Sequence, residues 1–112
     1  MMDELVDRQC NNNPEFAPKL DNSECEELMS AINGGWNLDI AKQIIFRQFE
    51  FKNYYQTIAF VNALTWIAHA QDHHPDLTIS YKHCKVSYTT HSVDGLSIND
   101  YICAARIDAL QQ

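Results

Sequence analysis

Four of the five histidines crowd into one stretch, at His69, His73, His74 and His83, and His91 follows just beyond. Imidazole is the side chain best able to gain and lose a proton near neutral pH, so such a cluster points to proton chemistry or to metal binding. His69 and His73 stand four apart on a predicted helix and would share a face, which is workable ligand spacing. The residues between them are Ala70, Gln71 and Asp72, so the glutamate of an H-E-x-x-H zinc helix is missing. Cys10, Cys25, Cys84 and Cys103 form no C-x-x-C pair that would add ligands. The second reading is acid–base catalysis without a metal. His73 falls in the last turn of the predicted helix, where the macrodipole favours a cation. His74 precedes Pro75 and must be leaving helical geometry, so the two neighbours can point in different directions. His91 lies just after a predicted strand. Three imidazoles from a helix end, a loop and a strand end could thus converge on one small polar ligand. The third reading is ordinary surface or core histidines. It is preferred for His69, between Ala68 and Ala70 in mid-helix, and for His83 at the start of a strand.

The elements that would position these residues follow from the hydrophobic pattern. Residues 1–19 are polar and irregular, with Asn11-Asn12-Asn13-Pro14 and Pro18, and read as a mobile or loosely docked tail. Residues 20–112 read as one domain. Ser23-Glu24-Cys25-Glu26 reads as a capping box opening a first helix, which Asn33-Gly34-Gly35 stops. Trp36 to Asp39 and Ile44 to Phe51 read as strands. From about Asn53 to His73 a long helix is apolar around much of its circumference, so both its sides are expected to meet protein; Pro75 would end it. Leu77, Ile79 and Tyr81, then Cys84, Val86 and Tyr88, alternate with polar residues as two half-buried strands. Ser97 to Asp100 opens a last helix with an apolar stripe of Ile98, Tyr101, Ile102, Ala105 and Ala109. The order α-β-β-α-β-β-α with short links predicts an α+β fold: a four-stranded antiparallel sheet with three helices on one face. Its free edges offer a route to a homodimer.

Composition narrows the function. The chain has 112 residues, 46% of them hydrophobic, enough for one small core that association would help to stabilise. Its net charge of -7, from 8 Lys+Arg against 15 Asp+Glu, argues against gripping nucleic-acid phosphates and gives no attraction to an anionic membrane surface. No apolar run is long enough to cross a bilayer. The opening MMDELVDRQC carries acids where a signal peptide would be basic and then apolar. A cytoplasmic protein with free, mostly buried thiols is expected.

The histidine stretch also carries a resemblance. His69 stands four positions before His73-His74-Pro75; the aromatic Tyr81 follows, then His91 ten residues after it, then Asp100. This resembles the signature of the pterin-4a-carbinolamine dehydratase family. The likeness extends to Gly35-Trp36, the aromatic run Phe49 to Tyr55, Gly95-Leu96-Ser97 and Ala104-Ala105-Arg106-Ile107-Asp108, covering about residues 23 to 108. It implies the fold read above, in dimers and tetramers, with no cofactor and no metal. It implies loss of water from the 4a-carbinolamine that aromatic amino-acid hydroxylases leave behind, and hence a functional link to phenylalanine hydroxylase. By the resemblance His73 and His91 are the acid–base pair and His74 orients the pterin. Asp76 is a further candidate for substrate binding, and Asp76 and Trp66 could line a pocket. Asp100 and His69 rank lower: some relatives carry glutamate at the position of His69, and Asp100, three residues after Ser97, suits a capping box.

A rival reading remains. Animal members of this family also serve as a dimerisation cofactor for a transcription factor, so a non-enzymatic protein-binding or regulatory module is the alternative. It would need an exposed apolar helix face, and the stripe on the last helix could be either that or core.

Overall fold

The structure is a computed structural model that describes residues 4–111. A short 3-10 turn, Leu5–Asp7, precedes α1 (Asn22–Leu28), which runs on into a 3-10 turn at Met29–Ala31. Then come β1 (Asn37–Asp39), β2 (Ile44–Glu50), α2 (Tyr54–Gln71), β3 (Asp76–Ile79), β4 (His83–Tyr88), a 3-10 turn at His91–Val93, and α3 (Ile98–Asp108), followed by a last 3-10 turn at Ala109–Gln111. The sheet order is β1-β2-β4-β3 and every pairing is antiparallel. This is the α+β architecture expected from the order of elements, with β1 and β3 at the edges.

Period-two alternation builds the core. Ile45 pairs with Tyr88 and Phe49 with Cys84, and these residues, with Val86, are buried on one sheet face. Against that face pack Phe60 and Leu64 of α2 and Tyr101, Ile102 and Ile107 of α3. The Phe49 and Phe60 rings meet at 4.6 Å. Burying a side chain of this size stabilises the fold by about 1.5–3 kcal/mol. Tyr101 donates to the Cys25 carbonyl at 2.8 Å, tying α1 to α3. Asp108 Oδ1 accepts from Trp36 Nε1 at 2.8 Å and Arg47 Nη1 at 2.7 Å, tying the last turn of α3 to the sheet.

Three local expectations change, and one point left open, the stripe of α3, is decided. The capping box of α1 is Asp21 with Glu24, two residues before the Ser23–Glu26 pair, which has the same spacing. In α2 only one stripe is buried, Thr57, Phe60, Leu64, Ala68 and Gln71; Tyr55 and Trp66 are exposed, so within one chain the helix meets protein on one side. The start of α3 is instead covered nearly all round, with Asn99 to Ala104 buried, so Tyr101 and Ile102 of its stripe are core, while Ala109 at its end is exposed. The N-terminal segment, expected to be loosely held, is docked along α3 and the end of α2. Leu5 and Ala17 are buried, Cys10 N donates to Gln71 Oε1 at 2.8 Å, Asn11 N to Asn99 Oδ1 at 3.1 Å, and Arg106 Nη2 to the Arg8 carbonyl at 2.7 Å. Among the described residues no helix is long and apolar enough to cross a membrane.

Candidate active site

The chain turns sharply where α2 ends. Asp72 adopts left-handed geometry, φ 50° and ψ 45°, which a short polar side chain tolerates better than most. Asp72 N–H donates to the His69 carbonyl at 3.2 Å, and His73 N–H donates back to the Ala68 carbonyl at 3.0 Å. These bonds satisfy carbonyls that the helix end would leave open. The helix therefore stops at Gln71, two residues before His73. His73 lies past the cap, so His69 and His73 do not share a helical face. The turn carries His73 under the sheet end and leaves His74 exposed.

His73 is held from three sides. Its Nε2–H donates to Asp100 Oδ1 at 2.6 Å, its ring stacks on Tyr88 with centroids 5.2 Å apart, and its carbonyl accepts from the Tyr88 hydroxyl at 3.2 Å. The Asp100 carboxylate is fully buried, and its second oxygen accepts from Thr90 Oγ1 at 2.8 Å and Ser97 N at 3.0 Å. Thr90 in turn accepts from Ser97 Oγ at 2.8 Å. Both Asp100 oxygens thus have donors, and with Thr90 donating to Asp100, Ser97 Oγ is the donor to Thr90. Burial alone would lower the His73 pKa, but the hydrogen bond and charge of Asp100 outweigh it. Cys10 and Asp72 add to this, and the net shift is upward. With Nε2 committed to Asp100, Nδ1 is the ring nitrogen left for a ligand.

His91 comes from another element. Thr90 and Gly95 pair at the neck of a loop, Thr90 N to Gly95 O at 2.8 Å, and His91 opens the 3-10 turn inside it. A Cβ on Gly95 would lie 2.6 Å from the Lys19 side chain and 2.9 Å from that of Gln43, so the ends of both side chains pack closely over the neck. A cavity of about 250 Å³ brings His73, His74 and His91 together, walled by Asn12, Asp72, Thr89, Thr90 and Ser92. A second cavity of about 300 Å³ shares Thr89 and His91 and is lined also by Lys42 and Asp76. Asp76 thus sits beside the three-histidine cavity rather than in it.

Asp100 plays both parts weighed from sequence: it completes the capping box with Ser97 and holds His73. His69 and Trp66 are exposed on α2 and line neither cavity. His83 is at the opposite end of β4, 3.9 Å from Glu50. Among the described residues no group of three or more His, Cys, Asp or Glu is arranged to hold a metal ion. Sequence reasoning did not single out Asn12, Thr90 or Tyr88. Asn12 lies in the N-terminal segment and donates to the Asp72 carbonyl at 3.0 Å, but only the fold brings these residues, 60 positions apart, together.

The small α+β fold and its polar three-histidine cavity have counterparts to compare among known proteins, and the comparison defines a family. The chain belongs to the pterin-4-alpha-carbinolamine dehydratase family, whose model matches residues 18–110. It is 50% identical over 107 residues to a Nitrosomonas eutropha protein provisionally named a pterin-4-alpha-carbinolamine dehydratase, covering 96% of this chain and 93% of that one. A Legionella pneumophila protein with the same provisional name is 41% identical over 110 residues, covering 98% and 97%. Among solved structures, the transcriptional coactivator/pterin dehydratase of Brucella melitensis superposes with a TM-score of 0.79 at 29% identity, covering 84% of this chain and 99% of that one. A pterin dehydratase-like RuBisCO assembly factor of the alpha-carboxysome matches with a TM-score of 0.60 at 24% identity, covering 70% and 90%; this likeness concerns the fold.

Proposed function

We propose that this protein dehydrates 4a-hydroxytetrahydropterin to quinonoid dihydropterin and water, recycling the pterin of aromatic amino-acid hydroxylases. The observation that carries this reading is the convergence of His73, His74 and His91 on one cavity, with His73 fixed on buried Asp100. In the reaction the C4a–OH bond breaks, the N5–H proton is lost and a C4a=N5 double bond forms. Hydroxide is a poor leaving group, so one group must protonate it while another takes the N5 proton. His73 suits the acid, because Asp100 favours its imidazolium and, with Nε2 held by Asp100, the proton given up would be the one on Nδ1. The neutral ring then remains anchored through Nε2–H. His91, exposed on its own loop, suits the base. His74 orients the ring, and Asp76, which lines the adjoining second cavity, would meet any part of the substrate that extends there. His69 has no part in this scheme.

The test is a direct assay with synthetic 4a-hydroxytetrahydropterin, following the quinonoid product after exhaustive chelation. Turnover well above the uncatalysed rate, unchanged by the chelator, is expected. No acceleration would defeat the reading.

A second reading, as a protein-binding regulator, draws on one observation: Tyr55 and Trp66, 83% and 73% exposed, leave an uncovered apolar face on α2. The Brucella relative is described as both a transcriptional coactivator and a pterin dehydratase. The same face, with Ile79 and Tyr81 exposed at and just beyond edge strand β3, also suits pairing with further copies of this chain, and we take a homo-oligomer as the working form.

A further inference from the structure

The acid–base scheme leaves one pair of reactive side chains unused. Cys10 Sγ lies 3.6 Å from Cys103 Sγ, and the two residues are 93 positions apart in sequence. Cys103 is fully buried in α3, with its sulfur 3.9 Å from the His73 carbonyl. Cys10 is partly exposed and belongs to the N-terminal segment, outside the stretch that matches the family model. That segment is held beside the site by Cys10 N on Gln71 and by Asn12 on Asp72. Cys25 and Cys84 are buried elsewhere, each without a second sulfur beside it among the described residues.

We propose that Cys10 and Cys103 form a redox-responsive pair, a modification site at which oxidation by a peroxide links the N-terminal segment covalently to α3 beside His73. The sulfurs need to close by about 1.5 Å to reach the S–S bond length. Cys10 lies outside any helix or strand, so the segment can supply that movement. Cys10 is the attacking thiol because it is the accessible one. The hydrogen bond from Cys103 stabilises its thiolate against the opposing effect of burial, and its pKa is lowered, while that of Cys103 is raised. The Cys10 thiolate attacks one peroxide oxygen, the O–O bond breaks, and a sulfenic acid forms with release of water once the leaving hydroxide is protonated. The Cys103 sulfur then attacks the Cys10 sulfur and displaces the hydroxyl as a second water. The balance is two thiols and one hydrogen peroxide to one disulfide and two waters. The bridge closes a long loop, which in the chain-entropy account restricts the unfolded chain strongly.

The test treats the full chain with about one equivalent of hydrogen peroxide and alkylates what remains. Trypsin places the four cysteines on four different peptides. The expected product is residues 9–19 joined to residues 86–106, with the mass of two hydrogens lost, Cys25 and Cys84 fully alkylated, and reversal by dithiothreitol. The bridged protein should also unfold at higher denaturant concentration than the reduced protein. Cys10→Ser and Cys103→Ser should each abolish the cross-link. Oxidation that stops at Cys10 sulfinic acid with Cys103 still alkylated, or links that instead join Cys25, Cys84 or two chains, would overturn the proposal.

Discussion

Asp100 holds His73 at 2.6 Å through one carboxylate oxygen and caps α3 with the other, so the packing of a helix end and the orientation of an imidazole depend on the same side chain. A carboxylate behind a histidine fixes which nitrogen carries the proton and stabilises the imidazolium, and a carboxamide does neither as well. Asp100→Asn should therefore lower the His73 pKa, read from its ring resonances in an NMR titration, and cut kcat by about tenfold or more. An unchanged His73 titration would contradict the electrostatic coupling.

The same contact makes stability depend on pH. The folded-state pKa of His73 lies above its ordinary value of 6.5. The stabilisation it brings is fully present below that ordinary value and is lost as pH rises through the folded value. Urea midpoints of the wild type should show this loss on the alkaline side of 6.5, and Asp100→Asn should flatten it. Equal slopes in the two proteins would argue against it.

Assembly is the next expectation. Sedimentation at micromolar concentration should show a dimer or larger. Trp66→Glu, at a side chain 73% exposed in the single chain, should weaken assembly while leaving the fold intact by circular dichroism. A wild-type monomer would contradict the working form.

Asn12 gives a test of the N-terminal wall. Its amide donates to the Asp72 carbonyl at the corner from which His73 and His74 diverge. Asn12→Ala should raise KM by about threefold or more, the worth of one hydrogen bond, without unfolding the chain. Identical kinetics would remove Asn12 from the site.

Much of this fold is visible in residue order because its strands alternate cleanly. Cys84, Val86 and Tyr88 read as one buried face, and that face is the core. Errors arose where two local solutions compete. Asp21–Glu24 and Ser23–Glu26 satisfy the same capping spacing, and only the packing of α1 chooses between them. Pro75 marks a helix break, yet Asp72 ends α2 earlier by turning left-handed, a choice that residue type does not announce. The docking of the N-terminal segment rests on Cys10–Gln71 and Asn11–Asn99 bonds, 61 and 88 residues apart, that no local pattern encodes. At the site, the histidine spacing named the groups that meet in the cavity. The Thr90–Asp100–His73 chain was not legible, because it depends on a loop folding back onto a helix start.

The central claim is that His73 and His91 act together as acid and base on 4a-hydroxytetrahydropterin. Its most direct test is the dehydration rate of the wild type, His73→Ala, His91→Ala and the double variant, each first shown folded and associated. Each single variant should lose about 10²–10⁴-fold in turnover. The double variant should lose much less than the product of the two, because groups acting as a unit are not additive. His74→Ala should chiefly raise KM, and His83→Ala should match the wild type. Near-full activity in the His73 and His91 variants, or a His83→Ala loss as large as theirs, would contradict the account.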